Sequence, residues 1–127
     1  MLYMIISVFL FASGIIMSSL ILMAAKPDKI LQGLGLSPKT LNPVIISAIR
    51  YLFYLIAIIG LFLVCAAFVP EFFTIALSLL ALEKLGAVFI QAASLKGVNL
   101  TIYKAVIYLD GLSALMAIIF LIILNIQ

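Results

Sequence analysis

The sequence predicts an all-α integral membrane protein, an antiparallel four-helix bundle, and three observations carry that prediction. Hydrophobic residues fill 69% of the 127 positions and charged residues only 9%, whereas soluble domains run to about 45–50% apolar and about 25% charged. The apolar residues fall into four long stretches, each as long as the roughly 20 residues a helix needs to cross a bilayer. These stretches are continuous runs and not short alternating ones, which selects helices over a closed barrel, the other structure that keeps its backbone paired in lipid. A single transmembrane domain over 1–127 accounts for the chain and leaves no stretch for a soluble catalytic domain.

The first helix is expected over about 2–25, with no charged residue in it. It lacks the basic start of a signal peptide, and its apolar run is too long for one, so it is read as a retained helix. Ser7, Gly14 and Ser18 would let a second helix approach closely, the last two at small-xxx-small spacing. Lys26-Pro27-Asp28-Lys29 stops this helix, and a loop punctuated by Gly33, Gly35, Pro38, Lys39 and Pro43 follows. Within that loop Ile30, Leu31, Leu34 and Leu36 suit a short amphipathic turn lying at the headgroups.

The second helix is expected over 44–69, with Arg50 near its start, and Pro70-Glu71 makes a tight connection to an antiparallel neighbour. The third, over 72–94, holds Glu83-Lys84 near its middle. After a short turn at Lys96-Gly97-Val98-Asn99, the fourth runs over 101–126, with Lys104 at its entrance and Asp110 deeper.

Basic residues near helix ends predict orientation. Lys26, Lys29, Lys39, Arg50, Lys96 and Lys104 all flank the first and third connections, while the termini and the middle connection hold none. The expected topology therefore has loops 26–43 and 95–100 in the cytoplasm and both termini outside, with the plasma (inner) membrane as host. This orientation accounts for the net charge of +3. No basic patch lies outside the apolar stretches, so nucleic acid is not an expected partner.

Arg50, Glu83, Lys84 and Asp110 are the ionisable residues within apolar segments and the only chemistry on offer. An Asp, Lys or Arg at a helix centre costs about 2.5–3.5 kcal/mol, against a gain of about 0.3–0.6 for each Leu, Ile, Phe or Val. Eleven such apolar residues lie between positions 72 and 94. They contribute on the order of 5 kcal/mol, while Glu83 and Lys84, with Glu taken as similar, cost about 6. That helix is near break-even alone and calls for partners. Arg50 with Asp110, or with Glu83, would give a neutral pair. Glu83 and Lys84 stand about 100° apart on a helix and are expected to point to different faces. Gln91 shares the stripe of Lys84, Ser113 shares that of Asp110, and Tyr51, Tyr54, Tyr103 and Tyr108 add hydroxyls towards the cytoplasmic half. Lys104 can snorkel to the interface on its long stem.

Other chemistries find little support. The one cysteine, Cys65, allows no intrachain disulfide or CxxC pair and reads as a small packed apolar residue, and histidine is absent. Haem held by histidine and the common zinc sites are excluded for this chain alone. No cofactor, metal site or catalytic motif is expected.

Several short motifs recur in an order that carries a resemblance. They are Ala25-Lys26-Pro27, then Ile30-Leu31-Gln32-Gly33-Leu34-Gly35-Leu36, Ile49-Arg50-Tyr51 with Gly60, Glu83-Lys84-Leu85-Gly86-Ala87, and Leu109-Asp110-Gly111-Leu112. The chain resembles the DoxX-like group of small, mostly uncharacterised four-helix membrane proteins over most of its length. The resemblance implies a four-helix bundle with charged residues facing a central cleft, to which Arg50, Glu83 and Asp110 would belong. It also implies kinship with small subunits of quinol-oxidising or other redox membrane complexes. Two departures stand against that transfer: the basic N-terminal start is missing, and no cysteine pair or histidine is present for redox work. The small multidrug exporters fit worse, since they look to a glutamate in the first helix, which here is uncharged.

The expected function is that of a small polytopic, non-catalytic accessory or assembly subunit, in a membrane complex or a homo-oligomer. The alternative is a binder or transporter of a lipophilic small molecule, a quinone or a lipid, with Glu83 or Asp110 hydrogen-bonding its polar end. A third reading, an enzyme in which the acids and Arg50 move protons, has no motif behind it.

Overall fold

The computed structural model describes residues 1–33, 37, 39–94 and 101–127, the side chains of Ile30, Ile102 and Tyr103 excepted. Among the described residues five α-helices follow one another: α1 Leu2–Ala25, α2 Pro27–Gly33, α3 Pro43–Ala66, α4 Phe73–Ser94 and α5 Thr101–Ile126. A 3-10 turn, Pro70–Phe72, precedes α4, and the described residues contain no strand. Four of the helices are long and apolar enough to cross a membrane. The protein is an all-α, multi-pass integral membrane protein.

Proline chemistry sets the boundaries. Lys26 leaves the helical region (φ −133°, ψ 74°) because the residue before a proline is pushed towards extended backbone. Pro27 then opens α2, where its missing N–H costs nothing. Val69, before Pro70, is extended for the same reason. α3 accordingly ends at Ala66 and not at 69 as the apolar run suggests. At its other end Asn42 caps α3: its side-chain oxygen accepts from the Val44 N–H at 2.9 Å, with Pro43 at the first helical position.

The chain divides into two compact units, Met1–Phe68 and Val69–Gln127. In the first, α1 pairs with α3 and α2 packs on both. The pairing is antiparallel, since Ser7 meets Ala67, Gly14 meets Gly60 and Ala24 meets Arg50. Apolarity cannot select the paired face here, because lipid is as apolar as leucine; small residues select it by letting backbones approach. On α1 that face is Ile6, Leu10, Gly14 and Met17, and on α3 it is Ala57, Gly60, Leu63 and Ala66, all buried. A Cβ built on Gly60 would lie 2.5 Å from the Ser18 nitrogen and 2.8 Å from the Gly14 carbonyl oxygen. One built on Gly14 would lie 2.7 Å from the Gly60 oxygen. The helices touch backbone to backbone at this crossing.

Away from the crossing, the Ser7 hydroxyl donates to the Ala67 carbonyl at 2.6 Å, and the Phe11 and Phe68 rings meet edge to face at 5.8 Å. Ser7→Ala is expected to cost about 0.6 kcal/mol, the typical worth of one interhelical side-chain hydrogen bond in a membrane. An unfolding titration in bicelles checks this, and an unchanged midpoint would show that the carbonyl finds another donor.

In α2 Pro27 and Leu31 are buried, Leu31 at 2% exposure, while Asp28, Lys29 and Gln32 are exposed. The short amphipathic turn expected here is thus a seven-residue helix. Leu34, Leu36 and the turn expected at Lys96-Gly97-Val98-Asn99 lie outside the described residues.

The second unit pairs α4 with α5. Parallel packing would oblige residues 95–100 to run back along a helix of 22 residues, about 33 Å at 1.5 Å per residue, and an extended chain of that length reaches only about 25 Å. The pair is therefore antiparallel. Phe73, Ala76, Leu77, Leu80 and Ala81 are buried on α4, and Ala114, Ala117 and Phe120 on α5. Outside these faces both units expose large apolar side chains along their length, from Val8 and Ile16 to Leu112 and Ile122. Water would not tolerate so extensive an apolar surface, and a bilayer solvates it.

Candidate functional site

Glu83 is the eleventh residue of the 22 in α4, and Asp110 the tenth of the 26 in α5. Each therefore lies on the order of 15 Å from the nearest end of its helix. The antiparallel pairing brings the two positions to the same level. Lys84 joins them: its Nζ lies 3.1 Å from Asp110 Oδ1 and 3.2 Å from Glu83 Oε2, and all three side chains are only 15% exposed.

This geometry corrects the expectation that Glu83 and Lys84 point to different faces. Their Cα–Cβ bonds do diverge by about 100°, but the four-carbon lysine stem bends its ammonium back between the two acids. The cation beside Asp110 within this unit is Lys84.

The group holds one ammonium for two carboxylates, a single net negative charge when both acids are ionised. Lys84 and Glu83 are close enough to attract, and the buried Glu83 Oε2 has acceptor capacity left beyond that ion pair. Gln91, two turns along α4, buries an Oε1 that likewise has no hydrogen-bond partner among the described residues. Ser113 is half-buried on α5, three residues beyond Asp110, whereas Tyr108 is 76% exposed and stands away from the group. Among the described residues no cluster of three metal-ligating side chains occurs.

Arg50 belongs to the other unit and to a different arrangement. Its Nε donates to the Ala24 carbonyl at 2.9 Å, one of the last-turn carbonyls that α1 cannot satisfy internally. Around it Ala24, Ala25, Ser47, Tyr51 and Tyr54 line an open groove of ≈ 760 Å³ between α1 and α3. The sequence singled out Arg50 as a charge inside an apolar segment but held no signal for the groove, whose walls include the small residues Ala24, Ala25 and Ser47.

Cys65 is exposed, in contrast to the packed position its size suggested. The paired face of α3 passes through Gly60, Leu63 and Ala66, and Cys65 falls outside that stripe.

No protein-family model, curated protein or solved structure matches this chain.

Proposed function

We propose that this chain is a non-catalytic subunit that assembles with other helices inside the membrane, those of a larger complex or of further copies of itself. The observation that supports the reading is the Lys84 group, in which a single ammonium serves two carboxylates midway along apolar helices. Residual charge at that depth is expensive and calls for a partner. A cation or a set of N–H and O–H donors on a neighbouring helix supplies it. Binding is then coupled to charge, and the outward apolar faces meet either lipid or that neighbour. The order of short motifs resembling the DoxX-like group agrees with a subunit role.

The orientation proposed with this reading places residues 26–43 and 95–100 in the cytoplasm and both termini outside, in the plasma (inner) membrane, because the basic residues flank those two connections.

A second reading is favoured by the unspent acceptors at Glu83 Oε2 and Gln91 Oε1. A lipophilic molecule with a hydroxyl or amine end, a quinol or a lipid, would donate to them. Purification from native membranes in mild detergent, with mass spectrometry of whatever accompanies the chain, separates the two. Stoichiometric polypeptides, or defined multiples of this chain, are expected with the wild type and are expected to be lost with Glu83→Gln combined with Asp110→Asn. A monomer that carries a small molecule, lost in Glu83→Gln, would overturn the subunit reading in favour of the ligand.

A further inference from the structure

We infer that the groove between α1 and α3 is a binding site for one anionic phospholipid, whose phosphate sits on the Arg50 guanidinium. The inference is independent of the role proposed for the Lys84 group, since it rests on residues of the first unit alone.

Arg50 stands seven residues beyond Pro43, the first residue of α3, about 10 Å along its axis. It is exposed on the groove wall and not folded into the helix pair. A guanidinium carries five N–H donors and cannot shed its charge. One donor is spent on the Ala24 carbonyl, which fixes the stem and the plane of the fork. Asp28 is the one acid of this unit, and it makes no ion pair with the other four. A planar, oriented fork with free donors suits bidentate capture of a phosphate.

The surroundings select the source of that phosphate. Because α1 and α3 are antiparallel, the end of α1 and the start of α3 share one end of the unit, and exposed Lys26, Lys29 and Lys39 lie along the connection there, with Asp28 as the one acid. Such a basic rim attracts anionic headgroups at about 1 kcal/mol per residue near the surface. Ser47, Tyr51 and Tyr54 add hydroxyls along the wall, and the volume falls within the roughly 300–1,000 Å³ of small-molecule sites. Ile21 lines the groove, and Leu22, Leu55 and Ile58 are exposed on the same two helices, which offers acyl chains an apolar track. A free phosphate would use the fork and leave that track uncovered. A lipid uses both.

The full chain, reconstituted in nanodiscs of equal phosphatidylglycerol and phosphatidylcholine and released for native mass spectrometry, tests this. About one phosphatidylglycerol per chain is expected to stay bound, enriched at least about tenfold over phosphatidylcholine, as a charge-assisted contact implies. Arg50→Gln should remove the enrichment. Ser47→Trp should remove it as well, by filling the groove while leaving the bond from Arg50 to Ala24 intact, so that a loosened helix pair is not the cause. Retention of the two lipids in the ratio supplied, or retention in either variant equal to the wild type, would overturn the inference. Displacement of the lipid by millimolar inorganic phosphate would also overturn it, by showing a site for the anion alone.

Discussion

Lys84→Met is expected to destabilise the α4–α5 unit by about 3–5 kcal/mol, the usual cost of removing one partner from a buried charge group. The ammonium lies 3.1 Å from Asp110 and 3.2 Å from Glu83, with all three side chains 15% exposed. Methionine fills nearly the same volume, so packing changes little and the loss is electrostatic. Two carboxylates are then left facing one another with neither water nor a cation to solvate them. The variant carrying Glu83→Met, Lys84→Met and Asp110→Leu together should recover most of the stability, because replacing every member of a buried charge group by hydrophobic residues of similar volume is often neutral or better. Reversible unfolding in bicelles, followed by a probe on α4, gives both values. A single variant within about 0.5 kcal/mol of the wild type, the size of an ordinary surface substitution, would mean that Lys84 does not compensate the acids.

The second large effect is expected at Gly60. Gly60→Leu should cost about 3 kcal/mol, the upper end of the range for overpacking. The atoms that a new Cβ meets are the Ser18 nitrogen at 2.5 Å, the Met17 Cβ at 2.7 Å and the Gly14 oxygen at 2.8 Å. Two of these are backbone and have no rotamer in which to retreat, so α1 and α3 must separate and lose the contacts that hold them. Gly86 supplies the comparison, since nothing lies within 4 Å of a Cβ there. Gly86→Ala should gain up to about 1 kcal/mol from helix propensity alone. Equal responses at the two glycines would show that the close crossing of α1 with α3 is not what makes Gly60 costly to replace.

These expectations differ in how far they could be reached from the residues alone. That Glu83, Lys84 and Asp110 are costly and need partners follows from the position of a charge in an apolar run, which is a property of the sequence. Their mutual arrangement does not. Lys84 could serve Glu83 on its own helix, Asp110 across the pair or a group on another chain, because its stem spans several ångströms in any of several rotamers. Likewise Gly14 and Ser18 carry the spacing of a close helix contact, but that spacing names no partner, and Gly60 is only one glycine among several. The groove at Arg50 was out of reach for a further reason. Its walls include the small residues Ala24, Ala25 and Ser47, and a space between helices becomes visible only once two helices are laid together.

The solvent and the secondary structure are legible in the residues alone. Both follow from additive, local quantities: apolar content per twenty residues, and prolines that force extended backbone at Lys26 and Val69. The pairing of α1 with α3 and of α4 with α5 emerges only in three dimensions, and with it the Lys84 bridge and the exposed fork of Arg50. In water, the burial of apolar faces would have marked the contact surfaces in the sequence. In lipid every apolar face is solvated alike, so the choice passes to the steric fit of small residues and to the reach of a few polar side chains.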